Sequence, residues 1–232
     1  MIAVYAGEGC GEATREGVQA FLTDRDLPWR SVFAADLTPE GLADVDAVYW
    51  PGGWAWPYVR DIGPVGKRAL RDLVARGGGY VGVCAGSYFA ADIIKWEGRL
   101  VEYDLDLFRG LAEGPIDAIE PWKGWRSTPL TLHDHPINAG ETAHDALYWG
   151  GPRFHPHPDQ HVDVLASYAV TGDPAAVTFA YGRGQVLLMG CHVELGWDAE
   201  AKRFDLAGGH GARWAWLERA VRWTLAQGGS RA

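Results

Sequence analysis

One cysteine sits between two glycines in Gly82-Val83-Cys84-Ala85-Gly86, where a short apolar run ends. Small residues two places either side of a nucleophile are what a nucleophile elbow demands, because the turn strains the backbone and crowds both flanks. A helix starting just after Cys84 would aim its first N–H groups at the sulfur and favour thiolate over thiol. Such a thiolate attacks carbonyl carbon, and it needs a base and a group that orients the base. His192 and Glu194 supply both residue types at the end of the apolar run 185–189. Two residues apart at a strand end, they project to the same side, so the carboxylate can fix the imidazole tautomer while the other ring nitrogen faces Cys84. His-x-Glu alone is commonplace; following a buried strand in a chain with an elbow cysteine, it gains weight.

An acyl intermediate also needs donors for its oxyanion. The N–H of Ala85 is one, and Gly52 or Gly53 offers a second, since a Gly-Gly step lets backbone approach a ligand closely. Trp54 and Trp56 directly follow Gly53, and Ser87 and Tyr88 follow the elbow; these four are the candidate substrate-binding residues. Glu8 is a weaker alternative partner for Cys84. Cys10 and Cys191 read as small hydrophobes. His133, His135, His155, His157 and His161 cluster in sequence, but Pro136, Pro156 and Pro158 break any ligand register, so no metal and no cofactor are expected.

These residues need elements to position them. The spacing predicts strands over 2–6, 31–34 and 47–50, a helix over 12–22, and a helix beginning at Thr38-Pro39-Glu40. Val65, Ala69, Leu70, Leu73 and Val74 give another helix, closed by Gly77-Gly78-Gly79 before the elbow strand. This β-α-β-α order predicts a mostly parallel sheet with helices on both faces, and ligands at the carboxyl ends of its strands. Residues 7–11, 51–53 and 84–87 all fall at such ends. Beyond residue 98 the pattern turns to short strands: 130–132, 146–149, 162–168, 176–181 and 185–189, with Gly182-Arg183-Gly184 as a tight turn. A last amphipathic helix uses Trp214, Leu217, Val221 and Leu225.

At 232 residues the chain suits one α/β domain spanning 1–232, and 47% hydrophobic with 22% charged residues reads as globular rather than disordered. A net charge of −9 without a basic patch argues against nucleic acid. No run has membrane-spanning length, and no basic, apolar leader opens the chain. Three cysteines are too few for a disulfide framework, which points to a cytoplasmic setting.

The elbow, the Pro51-Gly52-Gly53 loop and the terminal His192-Val193-Glu194 resemble, in that order, the class I glutamine amidotransferase-like superfamily. Within it the chain is most similar to the domain at the N-terminus of eukaryotic biotin–protein ligases, on the residues from Tyr80 to Phe89 and on Tyr148-Trp149-Gly150-Gly151-Pro152-Arg153-Phe154. The resemblance implies a flavodoxin-like three-layer α/β sandwich with a mostly parallel central sheet and an added β-rich insertion. It also implies a Cys84–His192–Glu194 triad acting on a small-molecule, amide-type substrate, with an acceptor or synthase partner for what is released. Val193 stands where glutaminases of this superfamily usually carry proline, and Gly86-Ser87-Tyr88 replaces their Gly-His-Gln run, so glutamine itself is not implied. The alternative expectation is a ligand-binding or regulatory module that keeps the pocket without turnover.

Overall fold

The computed structural model of the chain describes residues 1–198, 203–205 and 211–229. Its first half alternates strand and helix as the periodicity predicts. β1 (Ile2–Tyr5) leads to α1 (Glu12–Asp24), β2 (Trp29–Val32), β3 (Ala47–Trp50), α2 (Ala55–Asp61), α3 (Pro64–Ala75), β4 (Gly79–Val83) and α4 (Ala85–Ala90). The chain then runs through β5 (Ala91–Trp96), β6 (Arg99–Glu102), β7 (Phe108–Gly114), β8 (Arg126–Leu132), β9 (Ala143–Tyr148) and β10 (Arg153–Pro156). It finishes with β11 (Asp163–Tyr168), β12 (Pro174–Tyr181), β13 (Gly184–Met189), β14 (Gly196–Asp198), β15 (Arg203–Asp205) and α5 (Gly211–Gly229).

Nine strands form the central sheet in the order β2-β1-β3-β4-β13-β12-β11-β8-β9. Alternate residues of its central strands face opposite cores, as a pleated strand requires. Ile2, Val4, Val81, Val83, Leu187 and Met189 pack with Val18, Phe21 and Leu22 of α1 and with Trp214, Trp216, Leu217 and Val221 of α5. Ala3, Tyr5, Val48, Trp50, Tyr80, Val186 and Leu188 pack with Leu70, Leu73 and Val74 of α3 and with Tyr88 and Phe89 of α4. Helix, sheet and helix thus make three layers.

The sheet is not mostly parallel. The pairings from β2 to β13 are parallel, whereas those from β13 to β9 are all antiparallel. Across the three sheets of the described residues antiparallel pairings predominate. The cause is the connections: a parallel return needs a crossover of a dozen residues or so, while β12 and β13 are joined by the two-residue turn Gly182–Arg183. No helix starts at Thr38 either. One turn forms, with the Leu42 N–H bonded to the Thr38 carbonyl at 3.0 Å, and the chain then leaves in further turns. Val65, expected on the apolar face of α3, is 67% exposed.

The β-rich insertion is a second sheet, ordered β10-β7-β5-β6. It leaves α4 directly, because the elbow helix lasts only six residues before β5 begins. None of these four strands was legible from periodicity, and the sheet they form contributes to the walls of a pocket at Cys84. No helix among the described residues is long and apolar enough to cross a membrane.

Candidate active site

Strand register brings the chemistry together. Val83 of β4 lies opposite Met189 of β13, and Gly82 lies opposite Trp50 of β3, so the segments after all three strands emerge side by side. Cys84 takes φ 49° and ψ −105°, a left-handed conformation that costs a non-glycine residue roughly 1–3 kcal/mol. Its N–H bonds to the Met189 carbonyl at 2.8 Å, and its own carbonyl accepts from Ser87 and Tyr88 at 3.0 and 3.1 Å. The flanking glycines are sterically required. A Cβ on Gly82 would meet the Gly86 carbonyl oxygen at 2.8 Å, and one on Gly86 would meet the Trp50 carbonyl oxygen at 2.2 Å.

His192 is fixed at both ends. Its main chain exchanges hydrogen bonds with Leu147 at the end of β9, at 2.8 and 3.1 Å. Its Nδ1 lies 2.7 Å from Oε1 of Glu194, and both side chains are buried. Glu194 lies against α1 at Gly17, where a Cβ would come within 3.3 Å of its Cγ. Its second oxygen, Oε2, and the hydroxyl of Tyr49 are both buried without a hydrogen-bond partner among the described residues. Burial, then the Glu194 charge, raises the Tyr49 pKa well above its ordinary value, so that hydroxyl keeps its proton.

Among the described residues the other ring nitrogen of His192, Nε2, has no hydrogen-bond partner of normal geometry. It is nevertheless electrostatically coupled to Cys84. Burial alone would depress the imidazole, but the charges of Glu194 and Cys84 and the interactions with both outweigh it and push the pKa up to about 10. A Cβ on Gly52 would stand 2.4 Å from Cε1 of His192 and 3.3 Å from Cβ of Cys84, so this glycine borders both side chains. The Cys84 sulfur itself lies 3.6 Å from the Trp149 carbonyl oxygen.

Gly53, at φ 140°, is pinned by backbone contact with the Gly9–Gly11 turn: Trp54 N–H bonds to Gly9 at 2.8 Å and Gly11 N–H to Gly52 at 2.9 Å. The N–H groups of Gly52, Gly53 and Ala85 donate to no backbone carbonyl among the described residues. Two cavities open at Cys84. The larger, about 300 Å³, includes Trp54, Trp56, Tyr88 and Ala85 in its lining. The smaller, about 160 Å³, is lined by Gly11, Thr14 and His192 together with Gly53, Trp54, Cys84, Trp122 and Trp149.

Of the expected pocket residues, Ser87 is placed elsewhere. Its hydroxyl is fully buried, 2.9 Å from the carbonyls of Gly82 and Met189, because the single turn of α4 sets this side chain onto the ends of β4 and β13. Glu8 is exposed and lines neither cavity at Cys84. Burial pushes the Cys10 thiol up to about 11 and the Cys191 thiol up to about 12. The histidines of the loops have separate neighbours: His133 meets Ser167, His155 meets Glu113, and His161 approaches Asp163. Sequence reasoning missed Trp96, Tyr103 and Trp122, and it gave Trp149 no role. The available signal was compositional: 12 tryptophans in 232 residues.

Residues 2–208 match the family model for the biotin-protein ligase N-terminal domain. An uncharacterized protein of Chlamydia muridarum is 33% identical over 156 residues, which cover 62% of this chain and 58% of that one. The biotin–protein ligase of Schizosaccharomyces pombe is 27% identical over 158 residues, covering 62% of this chain and 25% of the ligase. The matches thus span well under two thirds of either relative. A crystal structure of a glutamine amidotransferase superposes with a TM-score of 0.66 at 19% identity, covering 98% of both chains.

Proposed function

Because the chain belongs to the biotin–protein ligase N-terminal domain family, within the class I glutamine amidotransferase-like superfamily, we propose that it hydrolyses small amide-type substrates at Cys84. The observation that carries this reading is the buried His192: its Nδ1 is held by Glu194, and its ring lines one cavity with Cys84, a cysteine at positive φ.

In the proposed reaction the Cys84 sulfur attacks the substrate carbonyl carbon and a C–S bond forms. The carbonyl oxygen becomes an oxyanion facing the N–H groups of Ala85 and of Gly52 or Gly53. Collapse breaks the C–N bond, and the leaving amine takes a proton from the His192 imidazolium. His192, neutral again, then removes a proton from water, which attacks the thioester and releases the carboxylic acid. The thiolate leaves with His192 reprotonated, so the cycle consumes one amide and one water. A small acceptor in place of water would give transfer instead of hydrolysis. Three free cysteines suit a reducing, cytoplasmic setting.

Intact-mass spectrometry during turnover of activated esters tests the reading. An acyl adduct on Cys84, absent in Cys84→Ala and formed at least 100-fold more slowly in His192→Ala, is the expected result. Acylation of Cys84 at equal rates with and without His192 would refute it.

A further inference from the structure

The two cavities that meet at Cys84 differ in chemistry, and the difference bears on what is cleaved. They share Trp54, Trp122 and Trp149 as a common wall, but only the smaller reaches His192 and only the larger reaches Trp96 and Tyr88. In the larger one Trp54, Trp96 and Trp122 pack edge to face, with centroids 4.9 to 6.0 Å apart, and Tyr88 meets Trp96 at 5.7 Å. The Tyr88 hydroxyl is already engaged, donating to the Gly150 carbonyl at 3.2 Å. Among the described residues no Asp, Glu, Lys, Arg or His side chain lines this cavity. Its volume of about 300 Å³ is room for a small organic group.

We infer that the acyl group carried by Cys84 is uncharged and apolar, a single-ring aryl-acyl or short alkyl-acyl group lying in the tryptophan-walled cavity. The inference deepens the hydrolase reading and rests on it. The leaving group then faces the smaller cavity, where His192 can protonate it. An acyl group with its own ammonium and carboxylate finds no counter-charge among these walls, and burying either charge unpaired is strongly unfavourable. The tryptophan faces would offer a cation only part of their area, because edge-to-face packing turns each ring against a neighbour's face or rim.

Binding is read separately from chemistry. In Cys84→Ala, tryptophan fluorescence is titrated with phenylacetamide, hexanamide, L-glutamine and tetramethylammonium. The two apolar amides are expected to bind at least tenfold tighter than either of the others. Equal or tighter binding of glutamine or tetramethylammonium would overturn the inference. On the wild-type chain, p-nitrophenyl phenylacetate, hexanoate and acetate are compared with γ-glutamyl p-nitroanilide for acyl uptake at Cys84. In Trp96→Leu the selectivity for phenylacetyl over acetyl should fall about tenfold. Trp56→Ala, altering a wall residue that is 56% exposed and so not part of the core, should lower the same ratio if Trp96→Leu does not fold. An unchanged ratio in a folded variant refutes the assignment. Tight apolar binding with no acylation from any ester would defeat the hydrolase reading and leave the cavity's preference standing. Acylation by the γ-glutamyl substrate as fast as by the phenylacetyl one would do the reverse.

Discussion

Gly52→Ala isolates the geometry of the proposed triad better than removal of any triad member. Gly52 does not sit in the left-handed region, so alanine fits its backbone, and the N–H proposed to face the oxyanion stays in place. What changes is one methyl group. Its carbon would lie 2.4 Å from Cε1 of His192, 3.2 Å from Cγ2 of Thr14 and 3.3 Å from Cβ of Cys84. Ordinary contact begins near 3.4 Å, so the Thr14 and Cys84 contacts need only slight adjustment while the imidazole must retreat by about 1 Å. It cannot retreat freely, since Glu194 holds Nδ1 at 2.7 Å and Leu147 holds the main chain on both sides.

A displacement of that size at a reacting group costs about 100-fold in rate. Overpacking of one methyl costs roughly 1–3 kcal/mol in stability, which leaves a folded protein to measure. The assay is the rate of acyl uptake at Cys84 from p-nitrophenyl esters, with a urea unfolding curve on the same preparation. A variant that folds and retains activity within threefold of wild type would refute the claim that His192 acts on Cys84 beside Gly52. Gly53→Ala makes the contrast: at φ 140°, with a Cβ 2.1 Å from the Gly9 carbonyl oxygen, it should lose the loop itself and unfold at lower urea.

The remaining tests probe electrostatics and the elbow. Iodoacetamide at pH 7.5 should label Cys84 at least 100-fold faster than Cys10, since a thiol near pKa 11 holds less than about 0.1% thiolate there; equal rates, followed by peptide mapping, would contradict an activated Cys84. In Glu194→Gln the His192 imidazolium should lose its proton at lower pH than in wild type, as read from the imidazole carbon-bound proton shifts by NMR. Because the folded pKa is raised, the stabilisation from the His192 charge is complete below its unfolded value of roughly 6.5 and disappears as pH rises through about 10. The difference in melting temperature between wild type and Glu194→Gln should therefore shrink across that window; a constant difference would count against the pair. Gly86→Ala should lower the urea midpoint by the equivalent of about 3 kcal/mol, because its Cβ meets main chain of β3 rather than a mobile side chain.

Legibility in the chain depended on which interactions are local. The elbow could be read because Gly82 and Gly86 are needed by contacts within seven residues of each other and with the neighbouring strand. His192 and Glu194 were readable because a buried run, 185–189, ends two residues before the histidine. The direction of β11, β12, β8 and β9 was not, since the residues of an antiparallel strand record which face is buried and not which way the partner runs. Ser87 shows another limit. A hydroxyl three residues after a nucleophile reads as a substrate contact, yet the short α4 turns it inward onto the carbonyls of Gly82 and Met189. Trp96 and Trp122 escaped because their place depends on a second sheet whose strands carry mixed, partly exposed patterns, such as the wholly exposed β6.

The proposed catalytic groups and much of the pocket wall come from different stretches of chain. The proposed nucleophile, base and backbone donors all sit at the ends of β3, β4 and β13, three adjacent parallel strands whose register is set by the buried sheet. Half of the pocket wall comes from segments after α4: Trp96 from the second sheet, Tyr103 after β6, and Trp122 and Trp149 from loops. Trp96 and Tyr103 can change volume or polarity without touching His192, which is held by Glu194 and Leu147, whereas Trp149 packs beside the imidazole at 6.1 Å. The superposition on an amidotransferase at 19% identity is consistent with this division, because it reports the shared scaffold and carries no information about the walls. In this chain those walls are aromatic and uncharged, so an amidotransferase-like frame does not by itself make glutamine the substrate.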